Sequence, residues 1–271
     1  MLPPASSRAV PSWWMLAAVL AYGPLLLFLD DQTRAAWPGQ YLLGLLTLGV
    51  LWLCSRSLAG RDRNVVWVCV IVATGFEVMG SLVWGGYHYR FGGIPLFVPF
   101  GHGLIYVFGL GLAATDLIRR HERAFAVAIL GVAVLWTIGG LTVLPSLTGR
   151  VDVHGLLWLP LFSYVLLFSP RRAFFAALFI ATTDIELFGT WFHSWMWAAN
   201  TPWVHVTSGN PPSAIAGGYA IIDGSVLLLA TLLRRVQTGA PAFLIAKRAG
   251  WRELQPGSFE VCAVGATEPL R

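Results

Sequence analysis

The chain has 271 residues, of which 56% are hydrophobic and only 11% charged. Soluble domains carry about a quarter charged residues, so this composition, with a mean hydropathy of +0.68, excludes an ordinary soluble protein. The net charge of +5 does not point to nucleic acid, because Lys and Arg in a membrane protein mainly report topology.

The apolar runs are about 17–25 residues long, the length a bilayer-spanning helix needs. A transmembrane barrel would show short alternating segments instead. The expected fold is therefore all-α, a polytopic membrane helix bundle of about eight transmembrane helices. Residues 1–12 read as a polar cytoplasmic lead. Pro11, Trp13 and Trp14 precede the first apolar run and no small-residue cleavage site follows it, so no signal peptide is expected. The transmembrane domain covers 13–235, with spans near 13–30, 41–59, 64–84, 95–116, 124–144, 153–169, 172–195 and 212–233. Residues 236–271 contain Gly and Pro and read as a partly disordered cytoplasmic tail.

Alternation of charge orients the spans. With the N-terminus inside, fifteen Lys and Arg fall on inner segments, and only Arg34, Arg90 and Arg150 fall on outer ones. This places both termini in the cytoplasm of a multi-pass cell-membrane protein.

Glu77 and Glu186 each lie 14 residues after an arginine, Arg63 and Arg172, and each begins the pattern E-x-x-G with Gly80 or Gly189. Residues 13–120 and 124–235 thus read as two four-helix repeats in parallel orientation. The alternative is that helices entering a membrane with Arg and leaving with Trp resemble one another without common origin. At a rise of ~1.5 Å per residue, both glutamates lie about 21 Å from their inner arginines, in the outer part of the hydrocarbon.

Ionisable groups inside a span are costly and are functional by default. Glu77, Gly80 and Trp84 share one helical face, as do Glu186, Gly189 and His193. Gly at each third position would admit a neighbouring helix. His102 lies between Gly101 and Gly103 and shares a face with Tyr106; the glycines leave space for a ligand or a backbone. The catalytic candidates are Glu77, Glu186 and Asp184 as proton donors, with His102 or His193 as partners. A carboxyl buried in an apolar site can remain a neutral acid, as a donor must. The competing reading is an interhelical hydrogen bond. Substrate-binding candidates are Tyr87, His88, Tyr89, Tyr106, Trp191, Asn210 and Asp223. In G-N-P-P-S (209–213), Asn210 and the prolines can shape a turn and Ser213 can cap the last span.

No phosphate loop, nucleophile elbow or zinc-binding His-Glu-x-x-His motif is present, and Cys54, Cys69 and Cys262 show no ligand spacing. No metal or other cofactor is expected.

Residues 77–99, with Glu77, Gly80, G-Y-H-Y at 86–89 and G-I-P-L-F-V-P at 93–99, resemble the membrane carotenoid-biosynthesis proteins of the bisanhydrobacterioruberin hydratase type. The resemblance covers under a tenth of the chain, with no comparable match in 184–219. It implies a polytopic enzyme that adds water to a long isoprenoid alkene. The expectation is an enzyme on a membrane lipid or isoprenoid, working by hydration, cyclisation or isomerisation in an outer-side pocket. A transporter or proton-coupled permease, and a non-catalytic assembly partner bound to another membrane protein, are the alternatives.

Overall fold

The computed structural model describes residues 12–33 and 38–238; the amino-terminal lead and most of the expected tail lie outside the described residues. The described residues form, in chain order, the helices α1 (Trp13–Gln32), α2 (Pro38–Ser55), α3 (Gly60–Glu77), α4 (Phe97–Ala114), α5 (Asp116–Arg120), α6 (Glu122–Thr142), α7 (Pro145–Thr148), α8 (Val153–Phe168), α9 (Arg172–Trp191) and α10 (Ala216–Thr238). The fold is an all-α polytopic bundle. Among the described residues, seven helices are long and apolar enough to cross a membrane, and α8, with 16 residues, is a shorter apolar helix. At ~1.5 Å per residue α8 reaches about 24 Å, less than a full hydrocarbon core.

Helices α4 and α9 form the centre, each 67% buried, against 22–39% for the other five long spans. Small residues permit this. Gly109 of α4 meets Leu178 of α9, and Gly103 of α4 meets Leu51 of α2. Ala173, Ala176, Ala177 and Ala181 bring α9 close to its neighbours, as small residues do wherever helices pack without water to drive them together. Around this centre, Leu42, Ile71, Leu135 and Leu228 point outward and exposed. That is the expected surface for a protein whose solvent is lipid.

Two short strands were not anticipated by the spans. After Glu77 the helix widens into a π-turn over Val78–Val83, closed by Trp84 N–H donating to Met79 O at 2.7 Å. Gly85, at φ +72°, reverses the chain, and β1 (Tyr87–Tyr89) follows. Helix α9 stops at Trp191, four residues short of the expected end of its span, and β2 (Trp195–Trp197) follows. The strands pair antiparallel, Tyr87 opposite Trp197 and Tyr89 opposite Trp195. They cap one end of the bundle. Arg90 and Arg150 lie at that end, and Arg56, Arg61, Arg119, Arg120, Arg171 and Arg172 lie at the other.

Several buried polar groups fasten the cap. Asp30, at the end of α1, accepts from Gln40 Nε2 at 3.0 Å and Ser194 Oγ at 2.7 Å. Asp152 accepts the backbone N–H groups of Gly155, Gly209 and Ser213, which joins the start of α8 to the 208–213 turn. Ser213 does not cap α10. Its hydroxyl donates to Thr137, and the helix begins at Ala216. Gly217 lies against the Trp158 backbone, so α10 meets α8 without an intervening side chain.

Candidate functional site

Beneath the two-stranded cap is a mostly apolar cavity of about 290 Å³. It receives side chains from α1, α3, α4, α9, α10 and both strands. Glu77, His102 and Glu186 all face it, together with Asp184.

Glu77 is 5% exposed and has three partners. Tyr87 and Tyr89 both donate their hydroxyls to its Oε2 at 2.6 Å. Its Oε1 lies 2.8 Å from His102 Nε2. A hydrogen bond between a carboxyl oxygen and a ring nitrogen contains one proton, and either atom can hold it. Strand alternation explains the tyrosines: residues two apart point to the same side, so 87 and 89 face the cavity while His88 faces outward and is exposed. Burial, with the Glu77 carboxyl close by, pushes both phenols above their ordinary value. Both shifts favour the protonated phenol, the form that donates to Glu77.

Glu186 repeats the arrangement with different chemistry. Trp195 and Trp197 donate their indole N–H groups to Oε2 at 2.9 and 3.0 Å, and Tyr219 of α10 donates to Oε1 at 2.9 Å. Each glutamate thus takes two aromatic donors from the following strand on one oxygen and one partner from the following long helix on the other. The strand register centred on His88 and Met196 relates the two sets as a half-turn would. The His102 and Tyr219 rings stack at 5.7 Å between centroids, so the two halves meet at these partners.

The difference matters chemically. An indole N–H only donates, whereas a phenol can donate or accept. Glu186 Oε2 is committed as an acceptor by two groups that have no other polarity to offer. Glu77 is surrounded by groups that can relay a proton, and its imidazole partner can take one up.

Gly80 and Gly189 do not admit helices, as their spacing implied. A methyl at Gly80 would stand 2.8 Å from the Tyr87 hydroxyl, and one at Gly189 would collide with the Trp195 ring. The repeated E-x-x-G is a seat for the aromatic ring that serves the glutamate. Gly189→Ala should therefore displace Trp195, at a cost of about 1–3 kcal/mol for overpacking. The check is thermal unfolding of the detergent-solubilised protein. Gly131→Ala, where a methyl meets nothing within 4 Å, should leave the midpoint nearly unchanged.

Other expected site residues are dispersed. His193 lies outside the cavity: α9 has already ended, and the residue sits exposed at φ +57° in the turn that feeds β2. The i, i+7 spacing from Glu186 is therefore not helical. Tyr106 lies a turn below His102, packs on Phe174 and points its hydroxyl at the Asp223 carbonyl, 3.5 Å away. Asp223 is buried beside it, a turn below Tyr219, and neither lines the cavity. Trp191 is 76% exposed and faces outward. Asn210 accepts the Trp197 backbone N–H at 2.9 Å and steadies the outer strand. Asp184 does line the cavity, near Gly23 of α1, and its Oδ2 is buried with no hydrogen-bond partner among the described residues. Gly101 also lines it, with open space where a side chain would be.

Sequence reasoning missed Trp195, Trp197 and Tyr219. The available signal was an aromatic pair with period two about ten residues after each glutamate: Tyr87 and Tyr89 after Glu77, Trp195 and Trp197 after Glu186. Among the described residues, no group of three or more His, Cys, Asp or Glu side chains is arranged to hold a metal ion. No protein-family model, curated protein or solved structure matches the chain.

Proposed function

We propose that this membrane protein is an enzyme that protonates a lipid or isoprenoid alkene in the cavity beneath the strand cap. The observation that carries the reading is the pair of buried glutamates on one apolar cavity, one in a proton-relaying set and the other in an accepting set. The Glu77–His102 pair gives its proton to one alkene carbon; a C–H bond forms as the π bond breaks. The other carbon becomes cationic. The Glu186 carboxylate opposes that charge, and the aromatic faces of the cap stabilise it further. Water then adds through its oxygen lone pair and returns a proton to the Glu77–His102 pair, giving hydration. Loss of a neighbouring C–H proton to the Glu77–His102 pair instead gives isomerisation, and attack by a second double bond, followed by the same proton loss from the new cation, gives cyclisation. A dry site favours each route by keeping stray water from the cation.

The resemblance of residues 77–99 to membrane carotenoid-biosynthesis proteins supports an isoprenoid substrate. The same short stretch supplies Glu77, Gly80, Tyr87 and Tyr89 to the site. The matching donor sets on Glu77 and Glu186 support the reading of 13–120 and 124–235 as related halves. A transporter is less favoured, because the polar groups on the cavity gather under one cap. The test is lipid extraction from a deletion strain with and without the restored gene, compared by mass spectrometry. A lipophilic compound that accumulates on deletion and is converted on restoration supports the enzyme. Identical lipid profiles argue against it.

The arginine-rich end is read as cytoplasmic and the strand cap as extracytoplasmic, in a cell membrane. Reporter fusions at Arg120 and Arg172 should therefore read inside, and fusions at Arg90 and Trp203 outside. An outside signal at Arg120 would overturn this orientation.

A further inference from the structure

We propose that the cavity is loaded sideways from the bilayer, through a mouth between the cap-side parts of α3 and α10, and that its occupant enters as an apolar chain. Three residues line the cavity and are also exposed on the outer surface: Met79 at 50%, Ile221 at 43% and Trp203 at 70%. Met79 and Ile221 belong to helices long and apolar enough to span the membrane. An opening between them meets acyl chains. Trp203, from the 198–215 connection, overhangs this opening, and its indole is suited to the membrane interface.

The fold explains why there is a mouth on this side. A half-turn about the strand pair exchanges α3 with α9 and α10 with α4. The gap between α9 and α4 is covered by α1, which packs on both and contributes Leu20, Tyr22 and Gly23 to the cavity. The counterpart of α1 in the second half is α6. It packs mainly against α8 and α9, and among the described residues it makes no comparable packing on α3 or α10. The π-turn at Val78–Val83 lies at this same place. It widens the helix where Met79 and Gly80 face the cavity, and such turns often accompany functional sites.

Phe76 and Ile222 line the cavity beside Glu77, His102 and Tyr219, so a chain entering here meets apolar side chains as well as the polar ones. The far end of the cavity, under α1, holds Asp184, whose carboxyl oxygen has no partner among the described residues. The route therefore suits a molecule that is apolar along its length and presents its reactive bond at the glutamates.

The test needs no turnover, so it can fail or succeed independently of the proposed chemistry. A nitroxide is attached at Gly101→Cys in a background carrying Cys54→Ser, Cys69→Ala and Cys262→Ser, and the protein is placed in palmitoyl-oleoyl phosphatidylcholine vesicles. Val98→Cys, also on the cavity, is the second reporter should Gly101→Cys fail to fold. Collision with oxygen, which concentrates in hydrocarbon, is compared with collision with a water-soluble nickel chelate. The expected result is strong oxygen and weak nickel collision, as at lipid-facing Ile71→Cys. Met79→Trp with Ile221→Trp should cut oxygen collision several-fold at the cavity reporter and leave Ile71→Cys unchanged. Strong nickel collision would show a water-facing mouth and overturn the proposal. Oxygen collision unaffected by the two tryptophans would overturn it equally, because the route would then lie elsewhere.

Discussion

Glu77→Gln should lower product formation by about 10²- to 10⁴-fold, the range attributable to a positioned general acid, while the protein still inserts and accumulates. Glutamine has nearly the same shape, and its carbonyl can accept from Tyr87 and Tyr89 as the Oε2 carboxyl oxygen does. Its amide can donate to His102 Nε2 in place of the shared proton. What it lacks is an acidic proton, so only the chemistry is removed. Product in lipid extracts and protein in membranes are measured from the same cells. Wild-type product with Glu77→Gln would remove Glu77 from the mechanism. His102→Gln should give a smaller loss, because the pair would lose the imidazole that can share the proton while the carboxyl remained.

Glu186 should separate into two effects according to the substitution. Glu186→Leu strands the indole N–H groups of Trp195 and Trp197 and the hydroxyl of Tyr219, all of which donate to this carboxyl. A buried unsatisfied donor costs about 1–3 kcal/mol, and an indole has no alternative mode of bonding. The cap should loosen, with a large drop in thermal midpoint and in membrane accumulation. Glu186→Gln keeps an acceptor for both indoles and should accumulate almost normally. Under the proposed mechanism it replaces the carboxylate that opposes the developing cation with a neutral amide, so product formation should still fall by about 10²- to 10³-fold, as when one electrostatic stabiliser is removed. Parallel measurement of melting and product formation distinguishes the outcomes. A Glu186→Gln protein with full activity would make Glu186 a structural anchor alone.

The helices and the acids were legible in the sequence for the same reason: lipid penalises charge. Long apolar runs therefore mark spans, and Glu77, Glu186 and His102 stand out within them. Their convergence on one cavity followed from depth and helical phase. The phase argument failed where the backbone stopped being an α-helix. His193 lies past the end of α9, whereas Trp84, beyond the π-turn, still lines the cavity with Glu77 and Gly80. Helical geometry could not foresee that a strand would follow each glutamate. Trp195, Trp197 and Tyr219 were hidden for a different reason. Thirteen tryptophans are present, and interfacial belts enrich Trp and Tyr in any membrane protein. Composition therefore could not distinguish a cap aromatic from a lipid anchor such as the exposed Trp191. The glycines of E-x-x-G were visible, but their role depends on ring positions that only the folded cap defines.

The central claim is that this cavity delivers a proton to carbon, and isotope transfer from solvent tests it most directly. Membranes containing the protein are incubated in D₂O with lipid extract from the deletion strain, and the product is washed with H₂O to remove exchangeable deuterium. The account predicts a product carrying one deuterium bound to carbon, absent with Glu77→Gln membranes. A product formed at the wild-type rate with no carbon-bound deuterium would contradict it.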